Sequence, residues 1–160
     1  AVSIRAVASR CSVSAGTIYN YYESKADLLS DTIESIWHEI FFHPEDEQIF
    51  HDVESCISWI YERLEYGNRQ FPGFFSLHSF GFMRDEKTSG KKRMMKTWGH
   101  ILNGLCEVLE NDPKVRADVF DQEFTEKKFA DILFSLILVS MIRQDYDPSS
   151  VLMLVKKTLY

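Results

Sequence analysis

Apolar residues recur at intervals of three and four along most of the chain, as they do on one face of an α-helix. No stretch shows the sustained alternation of apolar and polar residues that is typical of a half-buried strand. The pattern therefore predicts an all-α fold. The predicted long helices cover residues 24–41, 45–66, 91–109, 125–142 and 149–160, with a short helix within 71–82 and a polar loop at 85–90.

Proline and glycine are expected to mark the ends of these helices. Pro44 disfavours helical backbone in the residue before it, which ends the first long helix near Phe41. Gly67 is expected to stop the second long helix, because glycine often follows the last helical turn. Pro113 and Pro148 separate the last three long helices from one another.

The start of the chain differs from the rest, because it holds three helix starts within about twenty-five residues. Ser3, Ser14 and Ser24 are each suited to cap a helix, since a serine hydroxyl accepts from the free N–H groups there. The helix after Ser14 is too short to be stable alone. A short polar helix held between two others is typical of a DNA-binding helix-turn-helix. In the turn between the first two helices, Val13 is expected to point inward and to pack under both.

Three stretches of this segment together resemble the DNA-binding signature of the tetracycline-repressor (TetR) family. They are Ile4-Arg5-Ala6-Val7-Ala8, then Ser12-Val13-Ser14-Ala15-Gly16-Thr17-Ile18-Tyr19, then Tyr22-x-Ser24-Lys25-x-x-Leu28-Leu29. The resemblance implies a helix-turn-helix head over residues 1–30, and a larger helical body over residues 31–160 that binds a ligand and forms a dimer.

The sequence departs from the family pattern in two places. The family usually has glycine where Ser12 stands, so we expect a positive φ at a residue that adopts it less easily than glycine. The family also carries an additional helix before the motif, and the sequence given starts at Ala1 without it. We therefore expect the sequence to lack its N-terminal segment.

The resemblance and side-chain chemistry together suggest how the head contacts DNA. Arg5 suits a guanine edge or a phosphate, while Thr17 and Asn20 suit base edges, Asn by pairing with adenine. Hydroxyls and Lys25 suit phosphates, which fix the register of the protein on the duplex. The predicted DNA-binding residues are Ser3, Arg5, Ser14, Ala15, Gly16, Thr17, Tyr19, Asn20, Tyr21 and Lys25. The alternative is that they are solvated residues of a small helix.

Net charge permits this function without arguing for it. The chain of 160 residues carries a formal charge of −6. Residues 1–25 hold three basic residues and one acidic residue, a local charge of +2, so the remainder carries −8. The positively charged residues 1–25 can therefore approach DNA phosphates without repulsion, whereas the negatively charged remainder cannot.

Large aromatic and methionine side chains are frequent in the middle of the chain. The resemblance implies a ligand pocket there, and so many bulky groups suit an apolar ligand. The alternative is that these side chains form an ordinary core. The predicted pocket residues are Trp37, Phe41, Trp59, Phe74, Phe75, Phe80, Met94 and Trp98.

The last two helices are apolar on more than one face, which is more than a surface helix needs. Pairing them with their copies across a two-fold axis gives a four-helix bundle and a homodimer. The alternative is that they are core helices of a monomer. The predicted interface residues are Phe129, Ile132, Leu133, Leu136, Ile137, Ser140, Val151, Leu152 and Val155.

Other kinds of chemistry find no support in the sequence. The five histidines and three cysteines have no metal-ligand spacing, and no nucleophile–base pair or phosphate-binding loop occurs. We therefore expect no metal, no cofactor and no enzymatic activity. The longest apolar run, residues 132–142, is too short to cross a membrane, and no signal peptide is present, so a cytoplasmic protein is expected.

These observations predict a homodimeric transcriptional regulator similar to the TetR family. Repression of a pseudo-palindromic operator and release by a small apolar ligand are implied by the resemblance, since the residues do not decide between a repressor and an activator. The alternative function is that of a helical dimer that binds a ligand or another protein without contacting DNA.

Overall fold

A computed structural model of the chain describes residues 3–42, 51–75 and 89–160, and for residues 89–97 only the helical backbone. The regular secondary structure of this part is all helix, with no strand, which confirms the all-α prediction. In it, no helix is both long and apolar enough to cross a membrane. The helices are α1 (Ile4–Arg10), α2 (Ala15–Tyr19), α3 (Lys25–Phe41), α4 (Val53–Gln70), α5 (Ser89–Asn111), α6 (Glu126–Arg143) and α7 (Ser149–Leu159).

The bounds of α3, α6 and α7 agree closely with the predicted ones, whereas α4 differs at both ends. It begins at Val53 and is capped by Asp52, whose carboxylate accepts a hydrogen bond from the Ser55 N–H at 2.8 Å. Residues 51–52 are not helical, so the predicted start near residue 45 is wrong, although residues 43–50 lie outside the described part. The other end runs past Gly67 to Gln70, so Gly67 does not stop the helix.

Close packing explains the glycine at position 67. A Cβ placed there would lie 2.7 Å from Ile40 Cδ1 and 2.9 Å from Phe75 Cζ. Gly67 thus lets α4 approach the end of α3 and the aromatic residues after α4.

Two predicted elements fall partly outside the described residues. Of the predicted short helix within 71–82, residues 71–75 form a turn that ends with two helical residues, Phe74 and Phe75, and the rest lies outside. The predicted polar loop at 85–90 is wrong at its end, because Ser89 and Gly90 already belong to α5. Residues 85–88 are not among those described.

The main core lies among α3, α4, α5, α6 and α7. Ile40, Tyr61, Leu64, Leu133 and Val155 are almost fully buried in it. Inside this core the Tyr61 hydroxyl hydrogen-bonds the Ser140 hydroxyl at 2.8 Å, which joins α4 to α6. We call these five helices, with the segments between them, the body.

A polar network ties the start of α4 to the end of the chain. The buried Asp112 carboxylate accepts from the Val53 N–H at 2.9 Å and from the Tyr160 hydroxyl at 2.5 Å. Beside it, Lys114 donates to Asp52 at 2.7 Å. The Lys114 hydrogen bond, together with the Ser55 N–H, lowers the pKa of Asp52 to about 2. Burial and the Asp112 carboxylate raise the pKa of Tyr160.

Candidate nucleic-acid interface

Serine caps position the three helices of the head, which we define as α1, α2 and the first turns of α3. Ser3 Oγ accepts from the Ala6 N–H at 3.2 Å, and Ser14 Oγ accepts from the Thr17 N–H at 3.0 Å. Ser24 Oγ accepts from the Asp27 N–H at 3.2 Å. All three predicted caps are therefore confirmed.

The turn between α1 and α2 confirms one prediction and corrects another. Ser12 has φ of 56°, the left-handed conformation expected at that position. Val13 is 42% exposed, so the prediction that it packs inward is wrong. The small head core is built from Ile4, Ala8 and Ile18 instead, and Val13 contributes its N–H to the Ala8 carbonyl at 3.0 Å.

The helix α2 buries one side and exposes the other. Ile18 anchors it in the head core, while the side chains around Ile18 face solvent. Tyr19 and Tyr21 are 55% and 81% exposed. Nearly all of the predicted DNA-binding residues share this exposure, namely Ser3, Arg5, Ser14, Gly16, Thr17, Tyr19, Asn20, Tyr21 and Lys25, and Ala15 is half-buried. The five-residue helix and the residues that follow it thus expose polar side chains together with two tyrosine rings.

The hydroxyls at the start of α2 are partly used by the cap. Ser14 Oγ and Thr17 Oγ1 lie 2.9 Å apart and share a hydrogen bond, in addition to the cap bond from the Thr17 N–H. A hydroxyl has one donor and two acceptor sites. In either direction of the shared bond, Thr17 keeps an unused acceptor site. Ser14 keeps its donor for a phosphate if Thr17 donates the shared bond, and otherwise keeps one acceptor site for a water.

The start of α3 is also capped from within. The Ser24 hydroxyl donates to the Asp27 carboxylate at 2.8 Å while it accepts from the Asp27 N–H. The Asp27 N–H is therefore occupied, and a phosphate at this helix start would meet the earlier N–H groups and the exposed Lys25.

A hydrogen bond that sequence reasoning missed joins the head to the length of α3. The Tyr22 hydroxyl donates to Asp31 Oδ2 at 2.9 Å, and this bond and the carboxylate charge raise the pKa of Tyr22. Tyr22 also packs against the head core. Tyr22 belongs to the sequence motif, but no sequence signal indicates that Asp31 is its partner.

A cavity of about 490 Å³ lies in the body between α3, α4 and α5. Two tryptophans and two phenylalanines contribute to its wall, and Trp37 stacks on Phe41 with ring centroids 5.6 Å apart. Burial raises the pKa of the Cys56 thiol in this wall to about 12. The described lining residues are Glu34, Trp37, His38, Phe41, Phe42, Cys56, Trp59, Ile60, His100, Ile101, Gly104 and Leu105.

The structure brings only some of the predicted pocket residues to this cavity. Trp37, Phe41 and Trp59 line it. Phe74 and Phe75 pack against Trp37 in the core, and Trp98 packs against Phe134, so none of these three is among its lining residues. Phe80 and the side chain of Met94 lie outside the described part. His100 was missed as a lining residue, because no short-range pattern connects α5 to α3. His38 was missed although it lies beside Trp37 on α3.

The predicted dimer surface needs revision for a similar reason. Packing against the rest of the body buries Phe129, Leu133, Ile137, Val151 and Val155 in the core of the single chain, where a partner cannot reach them. Leu136 and Leu152 are half-buried, and Ser140 hydrogen-bonds Tyr61. The large apolar side chains that these two helices leave exposed are Ile132, Val139, Ile142, Met153 and Leu154.

Comparison with known proteins assigns the head to a family. Residues 1–32 match the family described as bacterial regulatory proteins, tetR family. No curated protein and no solved structure matches the chain. The matched residues contain α1, α2 and the first turns of α3, which carry the three serine caps and the exposed face of α2. The match covers the head alone, and it supports a DNA-binding transcriptional regulator similar to the TetR family.

Proposed function

We propose that this regulator is a repressor that binds a pseudo-palindromic operator as a homodimer and is released by a small apolar ligand. In this proposal residues 1–30 bind DNA, and residues 31–160 bind the ligand and form the dimer. Bacterial DNA lies in the cytoplasm, so we place its action there. The observation that carries the proposal is α2, a capped helix anchored by Ile18 whose polar and aromatic side chains face solvent.

The exposed side of α2, with one basic residue each from α1 and α3, supplies both kinds of DNA contact. Asn20 and Thr17 are the base-reading groups, Asn20 by a bidentate pair with adenine. Gly16 adds no side chain at the surface, which lets the helix backbone come close to the base edges. Lys25 and the tyrosine hydroxyls contact phosphates and fix the register, and Arg5 contacts a guanine edge or a phosphate.

The dimer supplies the spacing of two such helices. The exposed apolar residues of α6 and α7 are the candidates for its interface, since burying them against a second copy would remove apolar surface from water. Two heads related by a two-fold axis read half-sites about one DNA turn, roughly 34 Å, apart. That geometry favours a pseudo-palindromic operator.

The cavity supports the ligand part of the proposal. Its volume of about 490 Å³ suits an organic molecule of drug size. Trp37 and Phe41 on α3 line it, and the same continuous helix begins in the head. A ligand that fits the cavity better when α3 is displaced would therefore lower the affinity for DNA.

The first experiment selects the duplexes that the protein binds from a random DNA pool, and a salt titration of the selected duplex follows. Enrichment of an inverted repeat bound by a dimer is the expected result. A stable dimer with no enriched sequence would contradict operator binding and leave a module that binds a ligand or a protein.

A second experiment tests the dimer. Val139→Glu and Met153→Glu each place a charge in the exposed apolar surface of α6 and α7, and we expect both to yield monomers in analytical ultracentrifugation. Asn103→Glu, at an exposed position of α5, is the matched control and should leave the dimer intact. Dimers in both of the first two variants would place the interface elsewhere.

A further inference from the structure

Tyr22 is bonded to the recognition helix α2 and to α3. Its backbone N–H donates to the carbonyl of Ile18, in the last turn of α2, at 3.0 Å. Its hydroxyl donates to Asp31 Oδ2 on α3 at 2.9 Å. Ile18 is the buried anchor of α2. A movement of Asp31 can therefore reach α2 through Tyr22, which contacts both residues.

Asp31 lies on the face of α3 that lines the cavity. Glu34, His38 and Phe41 line the cavity and follow Asp31 at three, seven and ten positions, which is one stripe of a helix. The Tyr22 hydrogen bond is therefore made one turn before Glu34, on the face that an occupant of the cavity would contact.

The opposite end of α3 is fixed to α4. Arg63 on α4 donates from Nε to the Ile40 carbonyl at 2.5 Å and from Nη2 to the Glu39 carbonyl at 3.2 Å. Gly67 of α4 also lies directly against Ile40. With its end held in this way, α3 can respond to an occupant most easily toward its start, where Asp31 and Tyr22 meet.

We propose that the Tyr22–Asp31 hydrogen bond is the contact through which occupancy of the cavity changes the position of α2, which makes Tyr22 a positioning residue for DNA binding. The proposal rests on the proposed function, in which the cavity and the head are coupled. Apolar packing of Leu28 in the head core tolerates sliding, whereas a hydrogen bond to a carboxylate is directional and short, so it transmits a shift of α3.

A tethered side chain can stand in for the unidentified ligand. Gly104 lines the cavity, and no described atom lies within 4 Å of a Cβ built there, so Gly104→Phe places a ring in the cavity. Gly99, also in α5, has equally open space but does not belong to the lining residues, which makes Gly99→Phe the matched control. We expect Gly104→Phe to lower the affinity for the selected operator about tenfold, and Gly99→Phe to leave it unchanged.

The test of Tyr22 is a double-mutant cycle on operator affinity. In the Tyr22→Phe background, which keeps the ring and removes the hydroxyl, we expect Gly104→Phe to lower the affinity less than about threefold. Asp31→Ala should weaken the coupling in the same way. Asp31→Asn keeps an oxygen that accepts from the Tyr22 hydroxyl, so this variant should keep most of the coupling that Asp31→Ala loses. If Tyr22 had a merely structural role, Tyr22→Phe would lower the operator affinity equally with and without Gly104→Phe. The factor by which Gly104→Phe lowers the affinity would then be the same in both backgrounds.

Each other outcome overturns a distinct claim. If Gly104→Phe lowers operator affinity equally with and without the Tyr22 hydroxyl, and Asp31→Ala behaves the same, the role of Tyr22 is wrong while the coupled cavity stands. If Gly104→Phe binds the operator as tightly as the unaltered protein, the coupling of cavity and head is wrong, and the role of Tyr22 falls with it.

Discussion

The head and the body of this protein are held together by different means. The head buries Ile4, Ala8 and Ile18 and relies on serine caps that act over three residues. The body buries large side chains from five helices, and residues such as Leu133 and Val155 have no exposed surface. Short-range hydrogen bonds thus shape the DNA-binding surface, and long-range apolar packing supplies most of the stability.

This difference has a functional consequence for α2. A five-residue helix is unstable alone, and α2 is anchored in the head core by the buried Ile18 with the half-buried Ala15 beside it. Its exposed side chains are free to face DNA, but the position of α2 depends on the neighbours that hold it. Regions with few buried apolar contacts open at a lower free energy than the core does.

The largest expected effect separates the two regions by stability. Leu133→Ala removes a fully buried side chain from the body and should lower the free energy of unfolding by about 3 kcal/mol. Ile18→Ala in the head should lower it by less and reduce operator affinity more, because α2 loses its anchor. Urea denaturation and operator titration of both variants measure the contrast. Equal losses of stability would mean that burial in the small head core contributes as much to stability as burial in the body core does.

A second prediction separates base reading from phosphate binding within the head. Asn20→Ala should cost about 2 kcal/mol of binding to the selected operator and relax the preference at one base pair. Lys25→Ala should weaken binding to all sequences alike and reduce the slope of log K against log salt by about one. Titrations of matched and altered operators over several salt concentrations test both. The assignments fail if neither substitution changes binding.

What the sequence predicted follows the same division. The caps at Ser3, Ser14 and Ser24 were predictable, because a serine cap depends on residues three positions away. The left-handed φ at Ser12 followed from the family pattern. By contrast, Val13 was predicted inward because apolar residues are usually buried, and the head core turned out to be filled by other residues.

In the body, periodicity predicted the helices but not their partners. It could not tell whether an apolar face of α6 meets its own chain or a second copy, and Leu133 and Ile137 meet their own chain. Likewise, Trp98 and Trp59 are equally aromatic, yet only Trp59 lines the described cavity. Such distinctions depend on which helices become neighbours, and no local pattern encodes that.

A third prediction tests the polar contacts that reinforce the body. The pKa of Asp52 is about 2 in the folded protein and about 3.9 in an unfolded chain, so its ion pair stabilises the fold above pH 4 and is lost as the pH falls toward 2. Because Lys114 is half-exposed, we expect a contribution of about 1 kcal/mol.

Matched variants of Asp52 separate its charge from its cap. Asp52→Asn keeps a capping oxygen for the Ser55 N–H, so it should lose stability at pH 7 and show a flatter decline between pH 4 and pH 3. Asp52→Ala loses the cap as well and should be about 1 kcal/mol less stable than Asp52→Asn at each pH. Denaturant midpoints from pH 3 to 7 measure this, and an equally steep acid decline in Asp52→Asn would exclude the ion pair as its cause.

The smallest expected effect is a change in stability of opposite sign when two helical glycines of the body are each replaced by alanine. Alanine is favoured over glycine inside a helix by about 1 kcal/mol. At Gly99, where no described atom lies within 4 Å of a built Cβ, Gly99→Ala should therefore stabilise the protein by about that amount. At Gly67 the new methyl group would overlap the buried Ile40 and Phe75, and the overpacking should outweigh the helix preference, so Gly67→Ala should destabilise by about 1 kcal/mol. Thermal unfolding of the two variants decides this, and stabilisation by both would mean that the α3–α4 contact yields easily and does not hold the end of α3.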